Sequence, residues 1–566
     1  MKRVAITSLL ACLSFGVYAE VKADADYIYY NANVYTVNDA QPWAEAFAVE
    51  NGKIIYVGDI AGTGKYKGKS TKFVNLNEKM VMPGIVDEHI HPDMGADNYL
   101  NIFVSPMDSW ETVTKKLKEY RAKYPDKKWI YGGNLNWLAD NGEVISGTDV
   151  PSHKSSLDAI IDDRPVALWD QGAHAMLLNS MALKELNITK DTAPPAGGIL
   201  VKDENGELTG VVRETVSEWV TAALDNPSLE VWADQGMKPF FSEMHSYGVT
   251  AMNDAYGVKR NFDAYKYLED KDQMKIRMHV SISSPLNTPE QSAKDAQQYL
   301  IDNKDKFASE HVYPYGIKYI LDGSAAGRTA VMLEPFIGTK YKGMLRIPQE
   351  DVMEEMERLE KQGFVFKVHA IGDGSISMML DNLSQLPIRD DGRYHSIAHG
   401  TFTNPKDYVR FHKLNVVYEA SPALWFPSDA IGIIEKDIGE RVKYMWPIRQ
   451  LLGKGTLISY GSDWTVAFSP NPWLAIESMV TREVPGGSKT TAFDFSAIKL
   501  EEAIQIATLN GAKAIGLGDK LGSIEEGKYA DFIVLDKNIF DEKIRTVHDT
   551  KVLQTYFNGE LVYEAK

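Results

Sequence analysis

Between residues 25 and 81 the apolar positions come in short, strand-length runs broken by turn residues. The runs are Tyr27-Ile28-Tyr29-Tyr30, Asn33-Val34-Tyr35-Thr36-Val37, Ala46-Phe47-Ala48-Val49 and Lys53-Ile54-Ile55-Tyr56-Val57-Gly58, with Asn51-Gly52 as a hairpin turn between the last two. The same pattern returns at the far end, in Asp531-Phe532-Ile533-Val534-Leu535, in Val552-Leu553-Gln554-Thr555-Tyr556-Phe557, and after Asn558-Gly559 in Leu561-Val562-Tyr563. Together the two ends, residues 20–81 and 516–566, predict one small β-sandwich domain closing around a central domain of residues 82–515. In that centre, apolar runs alternate with helical segments such as the one from Glu350 to Gln362. The runs are Val81 to His91, Gly248 to Asp254, Ile276 to Val280, Tyr315 to Leu321, Phe364 to His369, Ser396 to His399, Asn415 to Glu419 and Leu457 to Asp463. Eight strands with helices between them predict an α/β fold, a (β/α)8 TIM barrel. From about residue 100 to 235 the rhythm fails: a helical pattern (Trp110 to Tyr124), short strands and a Pro/Gly-rich loop (Thr192 to Gly198) predict an inserted cap subdomain over the barrel mouth.

The first residues belong to a different kind of segment. Lys2 and Arg3 precede an apolar stretch, residues 4–17, followed by Val17-Tyr18-Ala19. This reads as a secretory signal peptide over residues 1–19, and hence as a periplasmic or secreted protein. The single cysteine, Cys12, lies inside it; Leu9-Leu10-Ala11-Cys12 loosely resembles a lipoprotein cleavage site, but Leu10 fits poorly, so lipid anchoring is the lesser alternative. Cleavage after Ala19 leaves no cysteine and so neither disulfides nor thiolate chemistry. No later stretch reaches the ~18 uninterrupted apolar residues of a membrane span. The chain has 566 residues, and 61 basic against 78 acidic side chains give a net charge of −17, which opposes a nucleic-acid surface.

Candidate chemistry gathers at strand ends, where barrels of this kind carry their sites. Strand one ends in His89-Ile90-His91, and side chains two apart on a strand share a face. Strand five ends in His369, strand six in His399 and strand eight in Asp463, while Lys318 sits within the apolar run of strand four. Singly, each has an ordinary reading: a core histidine, a turn cap, a lysine that snorkels or pairs with Asp322. Only 12 histidines occur in the chain, and four of them fall with an aspartate on one predicted face, which points to a metal site.

The order His-x-His, Lys, His, His, Asp resembles the amidohydrolase superfamily of metal-dependent hydrolases, and within it the subgroup typified by N-substituted formamide deformylase. The likeness extends to Gly316-Ile-Lys-Tyr-Ile-Leu-Asp-Gly323 with Arg328, His369-Ala-Ile-Gly-Asp373, Thr508-Leu-Asn-Gly-Ala-Lys-Ala514 and Gly522-Ser-Ile-Glu-Glu-Gly-Lys-Tyr-Ala-Asp531. Asp-Gln-Gly-Ala-His174, Asn179-Ser180, Gly197-Gly198 and Glu214 resemble its inserted region. The resemblance implies two divalent metal ions, zinc by default for this ligand set, with Lys318 carboxylated and bridging them. His89, His91 and Asp463 would hold one ion, and His369 and His399 the other. It further implies hydrolysis of a non-peptide C–N bond in a small amide-type substrate by a metal-bound hydroxide, with Asp463 as general base and acid and His174 contacting substrate. Trp137, Trp425 and Trp464 are candidates for an apolar pocket or for core. Esterase, lactonase or deaminase chemistry on the same site, and a non-catalytic exported regulatory or binding protein, are the alternatives.

Overall fold

A computed structural model describes residues 24–566 apart from 106–107, 136–150, 171–174, 196–197, 225–226, 325–326, 426–428 and 488–492. The leader segment with Cys12, and also Trp137, His174 and Gly197, lie outside the described residues. Among the described residues no helix is long and apolar enough to cross a membrane.

Eight parallel strands form the central barrel: β1 (Ile85–Ile90), β2 (Val249–Gly257), β3 (Arg277–Ser283), β4 (Val312–Ile320), β5 (Val365–Ala370), β6 (Ser396–His399), β7 (Val417–Ala420) and β8 (Ile458–Tyr460), each hydrogen-bonded to the next in sequence order. The ring is completed where the chain leaves β8. Asp463 N–H donates to the carbonyl of His89 (2.8 Å) and His91 N–H to that of Trp464 (2.7 Å). The α/β barrel expected from the strand count is therefore the observed fold.

The helix before β5 illustrates how sequence sets each unit. In Gln349–Glu360 the residues Val352, Met356 and Leu359, spaced four and three apart, are buried against the barrel, while Glu350 and Asp351 occupy the first turn and Arg358 the last. Burial of side chains of this size contributes about 1.5–3 kcal/mol each. Gly363 ends the helix with φ +83°, and the N–H groups of Phe364 and Gly363 return to the carbonyls of Leu359 and Glu360. A residue with a Cβ is disfavoured at that φ, and the glycine lets the chain reverse directly into β5.

Between β1 and β2 the chain builds a sheet of its own. Its strand order is Ile199–Lys202, Leu208–Arg213, Ala175–Leu178, Val166–Asp170, Ile130–Leu135, Ile102–Phe103. Alternate residues feed two separate cores, Val166 and Leu168 on one face with Val113 and Leu117, Ala167 on the other with Ala182 and Val216. Both faces are covered, as period-two alternation requires when neither side meets water.

The two chain ends meet in a four-stranded sheet (Tyr27–Tyr30, Ala46–Glu50, Lys53–Gly58, Lys72–Asn75) and a six-stranded one that joins Asn33–Tyr35, Trp43–Ala44 and Met80–Pro83 to Phe532–Leu535, Val552–Phe557 and Glu560–Glu564. Tyr29, Phe47, Phe532 and Tyr556 stack between them. This sandwich is fastened to the barrel through Arg277 at the start of β3. Its guanidinium is fully buried, donates to Asp531 (Nε to Oδ2, 2.8 Å), and lies over the rings of Tyr529 (3.7 Å) and Phe557 (4.7 Å). Removing one member of a buried pair strands the other charge, so Asp531→Ala should cost about 3–5 kcal/mol, whereas the double variant Arg277→Met/Asp531→Ala, which removes both charges, should cost less. Chemical denaturation of both variants checks the order; equal losses would show that the ion pair is not what fastens the two parts.

Candidate metal centre

The tip of β1 departs from plain alternation. Between Met252↔Asp87 and Asp254↔Ile90, β1 carries one more residue than its neighbour β2. Such a bulge re-aims side chains. Here it lets Glu88 contact Lys367 inside the barrel while the next residue, His89, also points inward, to Glu419. His89 and His91 lie side by side, with ring centroids 5.4 Å apart.

Opposite them, β6 and β8 deliver His399 and Asp463, each in the left-handed region (φ +68° and +55°). Non-glycine residues there cost about 1–3 kcal/mol each and persist where surrounding contacts hold them. Asp463 brings Oδ1 to 3.3 Å from His91 Nε2 and 3.5 Å from His89 Nε2, and Oδ2 to 4.0 Å from His399 Nδ1. Ligand atoms of His89, His399 and Asp463 all lie within 4.8 Å of one another. His369 stacks edge-on against His399 at 4.6 Å, and Lys318 Nζ stands 3.2 Å from His89 Nε2. All the described residues proposed as ligands from sequence thus come to one place. β8 can approach this closely because residue 461 is glycine: a Cβ there would meet His89 Cβ at 2.5 Å and Glu419 Oε1 at 2.7 Å.

Three charged residues that the strand pattern did not single out organise this cluster. Glu419 on β7 accepts from His89 Nδ1 (2.6 Å) and from Ser421 Oγ (2.8 Å), and Ser421 Oγ in turn lies 3.1 Å from His399 Nδ1. A carboxylate only accepts, so His89 carries its proton on Nδ1 and turns the Nε2 lone pair toward Asp463 and Lys318. One carboxylate therefore orients two imidazoles. Below it Lys367 donates to Glu88 (2.7 Å) and stands 3.8 Å from Glu419. Asn253 and Ser459 also donate to Glu88. A charged residue inside an apolar strand, as in Val417-Tyr-Glu-Ala420, is the sequence signal for such positions.

Burial sets the protonation states. It pushes His89 and His399 well below the ordinary histidine range, and His369 down to about 3, with the Lys318 charge adding to each effect and Arg346 to that on His369. These three imidazoles are neutral, with lone pairs free for a metal. Burial, then the nearby Lys367 charge, lowers Lys318 to about 7. His369 Nε2 is buried without a hydrogen-bond partner, and its nearest carboxylate oxygen, Asp322 Oδ1, is 4.0 Å away. An orphaned neutral imidazole beside two more and a carboxylate fits a divalent ion with N/O preference.

Asp322 does not pair with Lys318. It accepts from the N–H groups of Val331, Ile371 and Gly372 and from Ser375 Oγ, fixing the loops after β4 and β5. Asn179 is structural too: it is fully buried, caps the helix Ser180–Glu185 and donates to the carbonyls of Ile161 and Arg164. Trp425 and Trp464 belong to the core, the former between Trp446 and Arg482, the latter against Phe103. The apolar pocket lies elsewhere, in a cavity of about 730 Å³ between barrel mouth and inserted sheet, where Tyr131, Trp169 and Glu214 face Met94, Gly323, Arg346 and Thr465.

A barrel with a histidine- and carboxylate-lined mouth defines a metal-dependent hydrolase architecture, and residues 72–563 match the model of the amidohydrolase family. The chain belongs to that family. It is 28% identical to the protein LONG AFTER FAR-RED 3 of Arabidopsis thaliana, over 95% of this chain and 92% of that one. It is 24% identical to the N-substituted formamide deformylase of Arthrobacter pascens, over 95% and 98%. In fold it resembles an uncharacterised metal-dependent hydrolase from Pyrococcus horikoshii, with a TM-score of 0.71 and 21% identity over 92% of this chain and 99% of that one.

Because Glu419 fixes both His89 and His399, Glu419→Ala should weaken metal binding about 10–100-fold with the barrel still folded. Competition with a chromophoric chelator measures this; unchanged affinity would remove Glu419 from the site's support.

Proposed function

We propose that this chain is a metal-dependent amidohydrolase that cleaves a non-peptide C–N bond of a small amide-type substrate. The observation that carries the reading is the convergence of His89, His399 and Asp463 beside the unpartnered His369 Nε2. His89, His91 and Asp463 would hold one divalent ion and His369 and His399 a second, zinc being the default for this donor set. Ions bound there supply Lewis acidity toward a substrate carbonyl and acidify water.

The chain's own groups do the rest. Lys318, with its pKa near 7, presents a neutral amine that can attack carbon dioxide, forming an N–C bond and giving its proton to solvent. The resulting carbamate is an anion suited to bridging two cations. Asp463 is nearly buried against the imidazoles and lies two residues from Thr465, which lines the cavity. There it accepts a proton from the attacking water and returns it to the departing nitrogen, a role worth about 10²–10⁴ in rate. Amide cleavage is favoured over ester cleavage by the relative that is an N-substituted formamide deformylase.

The test is a hydrolysis screen of N-formyl, N-acyl and cyclic amides alongside lactones, with protein loaded with zinc, manganese or cobalt. Turnover of amides is expected; cleavage of lactones alone would overturn the C–N assignment. Lys318→Ala should lower the metal content from two ions per chain toward one or none, read by elemental analysis, and unchanged content would refute the bridge.

A further inference from the structure

The cavity above the site has an apolar rim and one cation. Met344, Val466 and Met94 are exposed at 61%, 43% and 40% and line it together with Tyr131 and Trp169. Among the described lining residues the only basic side chain is Arg346. Its backbone is pinned beside the metal centre: Arg346 N–H donates to the carbonyl of Leu321 (2.7 Å), and Leu321 N–H donates to that of His369 (3.1 Å). Arg346 thus stands two hydrogen-bonded rungs from a proposed metal ligand.

The other arginines nearby are already committed. Arg328 is paired with Asp437, and Arg260 with Asp97. Arg346 makes no side-chain hydrogen bond or ion pair to any described residue. The lining carboxylates stand on other elements: Asp97 on the helix Pro92–Leu100, already taken by Arg260 and the Trp232 indole, and Asp170 and Glu214 on the inserted sheet's side. In a chain of net charge −17, a guanidinium left open to a pocket is a local exception to a field that repels anions. Its planar fork matches a carboxylate through two parallel hydrogen bonds. A single cation, with no second basic group on the described lining, suits a singly charged partner better than a phosphate.

We infer that the substrate is an amide carrying a free carboxylate, of the N-acyl amino acid class, with its carboxylate on Arg346 and its apolar part against Met94, Met344 and Val466. The inference rests on the C–N hydrolase reading and narrows it.

Racemic N-acetylphenylalanine and its uncharged primary amide form the matched pair of probes, each titrated calorimetrically into the zinc-loaded wild type, R346Q and R346K. The acid should bind wild type about tenfold more tightly than the amide. R346Q should bring the acid to the level of the amide, and R346K should keep part of the difference. Equal binding of the pair to wild type, binding of neither, or a preference that survives in R346Q would overturn the inference. A hydrolysis arm separates it from the reading beneath it. Turnover of neutral amides without a carboxylate preference removes the role of Arg346 and keeps the C–N hydrolase. Arg346-dependent binding of the acid with no turnover of any amide keeps the carboxylate site and removes the C–N hydrolase.

Discussion

Charge inside a dry barrel is the constraint on which the rest of this structure depends. Two lysines, two glutamates, an aspartate and the imidazoles share an interior from which water is largely excluded, and an isolated ion there would cost several kcal/mol. The fold meets this by assigning partners. Lys367 takes Glu88 and approaches Glu419, while Glu419 takes His89 and, through Ser421, steadies His399. Lys318 is left against His89 Nε2, where burial, reinforced by the Lys367 charge, brings its pKa down to about 7. The reactive amine and the oriented lone pairs are two consequences of one pairing scheme.

Backbone geometry turns that scheme into a site. The extra residue at the tip of β1 lets Glu88 serve the barrel floor while His89 serves its mouth. Left-handed His399 and Asp463 turn back over the opening, and glycine at 461 allows β8 to close against His89. The same backbone contact, Asp463 N–H to His89 carbonyl, both completes the barrel and sets the distance between the proposed ligands. Stability and chemistry therefore share atoms here, and the strain at residues 399 and 463 is held by the closed ring.

Much of this was legible in the chain. Eight apolar runs with helices between them specify a parallel barrel, because a run buried on both faces has few other homes. His89, His91, Lys318, His369, His399 and Asp463 stood out because polar groups at the ends of, or within, such runs need a partner or a function. Glu419, Lys367 and Glu88 obey the same rule, yet along the chain each looks like an ordinary member of its strand. Their importance depends on which neighbour each meets across the barrel, and that pairing is not written along any one strand. Asn179 shows the reverse: a residue noted for its motif serves as a helix cap, and Trp425 and Trp464 pack as core.

The sequence by itself determined the class of fold and the side chains proposed as ligands, since both follow from local periodicity and residue chemistry. Only the tertiary structure decided which carboxylate orients which imidazole, which lysine has its pKa lowered, and that Arg346 reaches the cavity without a partner among the described residues. Those outcomes depend on distances between segments hundreds of residues apart, and both electrostatic energy in a low dielectric and hydrogen bonding change steeply over such distances.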